Sequence, residues 1–201
     1  MTYLDGFIMT YEEDDIPSYV SYNDDGSIRE QEWCKNNLRH RECGPAYIVQ
    51  DTNRILYWYR NGVLHREDGP AIEEYDGDGV KREECYYLNG IWSRKEGPSF
   101  VTYHPTGHLR SEYWITNNIE DRDDGPSKIL YDKSGRKIKE TWYKNGSIHR
   151  LFGPAIIIYN KLGGIRYKEY YIGDTRINVR SDEEFIEKDE HKWELMNFVQ
   201  T

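Results

Sequence analysis

Arginine and histidine recur at fixed places along this chain, and they are the first residues to consider for chemistry. Arg41, Arg66, Arg94, Arg122 and Arg150 each lie eight residues after an aromatic, namely Trp33, Trp58, Tyr86, Trp114 and Trp142. A row of planar guanidinium groups offers forks for phosphate or carboxylate ligands. The same groups suit internal ion pairs and carbonyl contacts, with Glu42, Glu67, Asp68, Glu96 and Asp124 close by in sequence. Recurrence in every copy favours the internal role. His40, His65 and His149 precede three of these arginines, and Ser93 and Asp121 take the other two places. Equivalent positions on adjacent hairpins lie about 10 Å apart, whereas zinc ligands converge within about 2.0–2.3 Å of one ion. Capping of a turn carbonyl is therefore expected, and no metal or cofactor is called for. Glu84, Glu112 and Glu140 stand two residues before the aromatic, on its face of a strand. Carboxylate pairs do acid–base work when their surroundings drive their pKa values apart. Equivalent surroundings do the opposite, so pairing with Arg or Lys across strands is expected. No nucleophile elbow, phosphate loop or Cys–His arrangement stands out, and an enzyme is not expected.

The elements that position these residues repeat. Pro17, Pro45, Pro70, Pro98, Pro126 and Pro154 are separated by 28, 25, 28, 28 and 28 residues, and Tyr170 continues the aromatic series. A fixed period of this size means one supersecondary unit copied in tandem. In the third copy, Pro-Ala-Ile-Glu-Glu-Tyr reads as a strand opening on proline, and Asp76-Gly77-Asp78-Gly79 reads as a turn. Val80 to Tyr87 reads as the returning strand, and Asn89-Gly90 as a tight reversal. The residue after each proline is small (Ser18, Ala46, Ala71, Ser99, Ser127, Ala155), and Tyr22, Tyr75, Tyr103, Tyr131 and Tyr159 lie five residues after their prolines. The second copy is three residues short, and the deletion falls between Pro45 and Trp58, most cheaply at Asp51-Thr52-Asn53. Two strands per copy keep equivalent residues at one edge, with the segment from Asn-Gly to Gly-Pro as a long, partly extended connection. About twelve strands follow.

With hydrophobic residues at 37% and a mean hydropathy of −0.93, the chain is poor in material for a thick core. Its 18 Tyr and 6 Trp supply large amphipathic rings suited to a thin sheet. A net charge of −9 disfavours nucleic acid and anionic membrane as partners. The start has no basic region or long apolar run, so no secretory signal is expected. Three cysteines without CxxC spacing point to free thiols and a cytoplasmic setting.

The strings NGVLHREDGPA (61–71) and WYKNGSIHRLFGPA (142–155) resemble MORN-type repeats. They are closer still to the variant written LHRxDGPA, found in proteins of bacteriophages and large DNA viruses and in bacterial antitoxin-like proteins. The resemblance covers residues 17–176. It implies protein–protein or membrane-associated scaffolding without a shared chemistry. Unit length and the His-Arg step depart from ordinary MORN repeats, so lipid binding is not carried across.

The expected fold is all-β: an elongated antiparallel meander of hairpin repeats over 17–176, with a leading strand within 1–16 (Tyr3 to Tyr11) and a capping segment over 177–201, helical over 182–199. Trp33, Trp58, Tyr86, Trp114, Trp142 and Tyr170, with the arginine row, form a structural ladder. Neighbours such as Trp142 and Tyr143 point to opposite faces, which leaves a second strip of rings. Tyr59, Tyr87, Trp92, Tyr143 and Tyr171 are the expected partner-binding residues. The expected partner is another protein, in the host cytoplasm if the chain is viral. A homo-oligomeric scaffold is the alternative, and a hydrolase with an acidic groove is third.

Overall fold

A computed structural model describes residues 16–179 and 181–185. Their main element is one antiparallel sheet of thirteen strands, laid side by side in sequence order from Tyr19–Tyr22 to Thr175–Ile177. The hairpin meander expected from the period is present, with one strand more than the twelve anticipated.

The third unit shows why the chain folds this way. Ile72–Tyr75 and Lys81–Cys85 pair as a hairpin. At its tip the Asp76 carboxylate accepts the backbone N–H groups of Asp78 and Val80 at 3.1 and 2.9 Å. A short polar side chain thus holds the turn that its glycines permit. The returning strand then pairs with the first strand of the next unit, Glu84 opposite Val101. Register shifts leave Arg82, Arg110, Ile138 and Arg166 outside the ladder as bulge residues. Unit two has no such shift between Tyr47–Gln50 and Arg54–Tyr57. Its shortening therefore removed two turn residues and the bulge, and the pairing on both sides survived.

The segment expected to be an extended connection is itself a hairpin. After the ladder aromatic, Tyr87–Leu88 pairs with Ile91–Trp92 around Asn89-Gly90, and the same small hairpin occurs in four other units. Asn89 and Gly90 have φ of 52° and 77°, the left-handed pair that a two-residue reversal requires and that Asn-Gly tolerates best. Two residues each side suffice because the hairpins also bond to one another.

The small residue after proline sits where units join. Ala71 donates its N–H to Cys85 O and accepts from Trp58 N, both at 2.8 Å. Ala46, Ala71, Ser99, Ser127 and Ala155 are all at most 1% exposed, so a larger side chain has no room. Trp33, Ile48 and Leu56 form a core cluster, with Trp58 and Tyr75 packed against it. At the far end a short helix spans 182–185, and its Phe185 ring lies 4.9 Å from Tyr170. The expected leading strand, Tyr3 to Tyr11, and the part of the expected helix after 185 fall outside the described residues.

Candidate functional site

Each arginine of the row lies over its own ladder ring. The guanidinium carbons of Arg41, Arg66, Arg94, Arg122 and Arg150 are 4.0, 4.1, 3.9, 3.9 and 4.0 Å from the centroids of Trp33, Trp58, Tyr86, Trp114 and Trp142. That is cation–π geometry. One guanidinium nitrogen also donates to the carbonyl of the proline four residues on, at 2.9–3.4 Å in all five. Arg66 and Arg122 add ion pairs to Asp68 and Asp124 at 2.9 and 2.6 Å. The glycine before each proline makes room: a Cβ on Gly69 or Gly125 would stand 2.8 or 2.9 Å from the Arg66 or Arg122 guanidinium carbon. Aromatic, arginine, glycine and proline thus form one clamp, repeated five times.

The residue before each arginine joins neighbouring small hairpins. His40 Nδ1 accepts the N–H of Asn61, His65 that of Asn89 and His149 that of Gly173, at 3.1–3.2 Å, and Asp121 accepts that of Asn145 at 3.3 Å. The expected carbonyl cap is therefore corrected. The imidazole accepts a backbone N–H from the next copy, which leaves Nε2 of His40 and His65 facing Glu42 and Glu67. Where Ser93 replaces the acceptor, the following turn reads Asn117-Asn118, and Asn118 Oδ1 accepts Trp92 N–H at 3.0 Å instead.

Glu84, Glu112 and Glu140 do have lysine partners in two cases, but within their own strands: Lys81 with Glu84 at 2.6 Å and Lys137 with Glu140 at 2.7 Å. Across strands their partner is the tyrosine of the next unit, not Arg or Lys. The hydroxyls of Tyr103, Tyr131 and Tyr159 donate to Glu84, Glu112 and Glu140 at 3.1, 2.5 and 2.6 Å. Unit two has Leu56 in place of the glutamate, and there Tyr75 packs into the apolar cluster. Burial, then the adjacent carboxylate, pushes Tyr103 and Tyr159 up to about 12, from an ordinary 10. Both groups favour the neutral phenol when folded, so their contribution is complete below pH 10 and lost as pH rises towards 12. Thermal unfolding from pH 8 to 12 should show melting temperature falling only above pH 10, more steeply than in a Tyr103→Phe/Tyr159→Phe variant.

The opposite face carries the second strip of rings. Tyr59 lies 6.3 Å from Tyr57, which lies 5.6 Å from Tyr47. Tyr87, Trp92, Phe100 and Tyr113 form a chain with centroids 4.5, 5.5 and 5.2 Å apart. Tyr143 and Tyr171 occupy the equivalent hairpin position in the last two units. All five expected partner-binding residues are half-buried. Sequence reasoning missed Tyr47, Tyr57, Phe100, Tyr113 and Arg39, which stacks 4.0 Å over Tyr47. Each of Tyr57 and Tyr113 stands one residue before a ladder ring, and alternation from that ring is the signal that could have found them.

Among the described residues no group of three or more His, Cys, Asp or Glu is arranged to hold a metal ion. No helix among them is long and apolar enough to cross a membrane. Cys34 and Cys43 are exposed thiols, and Cys85 is buried with its thiol pushed up by that burial. Shallow clefts recur along the Gly-Pro edge, as between Arg94–Gly97 and Trp114–Thr116, with clamp residues as walls. Together these features define a β-repeat array of one thirteen-stranded sheet and five small hairpins, whose charged rows are spent largely on internal bonds. Comparison with protein-family models and with curated protein sequences returns no match.

Proposed function

We propose that this chain is a non-catalytic module that recognises another protein. One observation carries the reading: the half-open rings opposite the ladder, in one group of Tyr47, Tyr57 and Tyr59 and another of Tyr87, Trp92, Phe100 and Tyr113. Rigid aromatics supply binding area at low entropy cost and dominate interface energetics. The arginine row, which would otherwise invite ligand chemistry, is engaged by the ladder rings and proline carbonyls, and the glutamate row by tyrosine hydroxyls and lysines. The resemblance to LHRxDGPA repeats extends the proposal to a phage or viral accessory protein, or an antitoxin-like neutraliser, that blocks its target in the cytoplasm.

The test is affinity capture from extract of the native host, with the wild-type chain beside a Tyr59→Ser/Trp92→Ser variant. The wild type should retain one protein in a fixed ratio. The variant should lose it while remaining folded by circular dichroism. Equal capture by both chains, or substrate turnover by the purified protein, would contradict the reading.

A further inference from the structure

The net charge of −9 is not spread along the chain. Residues 17–179 hold 24 acidic and 24 basic side chains, so the excess lies wholly in 1–16 and 180–201. Within the array the halves differ in sign. Residues 17–90 carry 14 acidic and 9 basic groups, whereas 91–179 carry 10 and 15. The array is thus a dipole of five charges each way along the ribbon.

The edge where each unit's two long strands turn follows the same order. Its tips carry Asp24 and Asp25, then Asp51, then Asp76 and Asp78; the fourth carries His104 and His108; the last two carry Lys133 and Arg136 beside Asp132, then Lys161. Internal pairing removes part of this charge. Arg82 stands 3.6 Å from Asp76, and Arg136 2.8 Å from Asp132. Among the described residues no ion pair engages the exposed side chains of Asp24, Asp51, Asp78, Lys133 or Lys161. Arg54 is a basic group on the acidic half, and it leaves that half's excess intact.

An edge that runs from acidic to basic through a neutral midpoint is complementary to itself under a two-fold rotation. We infer that a second copy of this chain docks along the turn edge in the reversed direction. The first, second and third units of one copy face the sixth, fifth and fourth of the other, with the axis between the third and fourth turns. Such a contact is isologous and closes as a dimer, whereas joining the sheet ends would continue as a filament. It uses the turn edge rather than the ring strip, so it stands or falls separately from protein recognition.

Sedimentation of the full-length chain at low ionic strength should show a monomer–dimer equilibrium. Raising salt to about 1 M, where the screening length is about 3 Å, should weaken it roughly tenfold or more. The variants Lys133→Glu/Lys161→Glu and Asp24→Lys/Asp51→Lys should each be monomeric and fully folded, because these side chains bond nothing among the described residues of the array. An equimolar mixture of the two should restore a one-to-one pair. A wild type that stays monomeric in low salt, a dimer indifferent to salt and to both variants, or a mixture that fails to pair would each overturn the inference.

Discussion

Replacing Trp33 with alanine should lower the unfolding free energy by about 3–5 kcal/mol, read by urea denaturation. Trp33 is 6% exposed and packs with Ile48 and Leu56, and the Arg41 guanidinium lies 4.0 Å over its ring. The substitution opens a cavity in the core cluster and strands the guanidinium above it. Repeat arrays are stabilised mainly by contacts between neighbours, so the loss should appear as earlier melting of the first two units. Trp33→Phe separates packing from polarity. The indole Nε1 is buried without a hydrogen-bond partner, so phenylalanine keeps a ring and removes an unsatisfied donor. That change should cost about 1 kcal/mol.

The second large effect is expected from a single methyl group. Gly125→Ala places a Cβ where the Arg122 guanidinium now lies, 2.9 Å from its central carbon. Gly125 has no left-handed φ, so the substitution acts through space and not through backbone strain. Arg122 is long enough to swing aside, but doing so gives up the Trp114 face, the Pro126 carbonyl and the Asp124 carboxylate together. A cation–π contact is worth about 0.5–2 kcal/mol and a hydrogen bond from a charged group about 1.5–3. Because solvent reaches part of the site, the net loss should be about 1–3 kcal/mol. Gly69→Ala should behave alike, since Arg66 has the same four neighbours.

Much of this architecture is legible in the sequence. The proline period, the alternating strands and the Asn-Gly reversals specify hairpins in tandem, and the sheet follows that order. The small hairpin was not legible as strands because two residues a side carry no periodicity. Its stability comes from bonds to the next copy, through His40, His65, Asp121 and His149. Those bonds are local in space and 21–24 residues apart in sequence. The partner of each glutamate was missed for a related reason. Tyr103 and Glu84 are 19 residues apart, and only the pairing of neighbouring units brings them together.

Smallness after proline also concealed two chemistries. Ser99 Oγ donates to Ile115 O and accepts its N–H, at 2.8 and 2.9 Å, and Ser127 does the same for Tyr143. In the alanine units the corresponding carbonyls, of Tyr59, Tyr87 and Tyr171, accept from the backbone N–H of Arg41, Arg66 and Arg150. Composition at a buried position reveals the available volume. It does not reveal which donor fills a carbonyl's vacancy, because either solution satisfies the same group.

The arginine row decides whether this surface is architecture or ligand site, and a double-mutant cycle between Arg122 and Gly125 asks that directly. If the guanidinium is an internal clamp, Arg122→Ala and Gly125→Ala each destabilise. The double variant should then be little worse than Arg122→Ala alone, with a coupling of about 1–2 kcal/mol. Additive losses, or an Arg122→Ala chain as stable as the wild type, would mean that the arginines do not hold the repeats together.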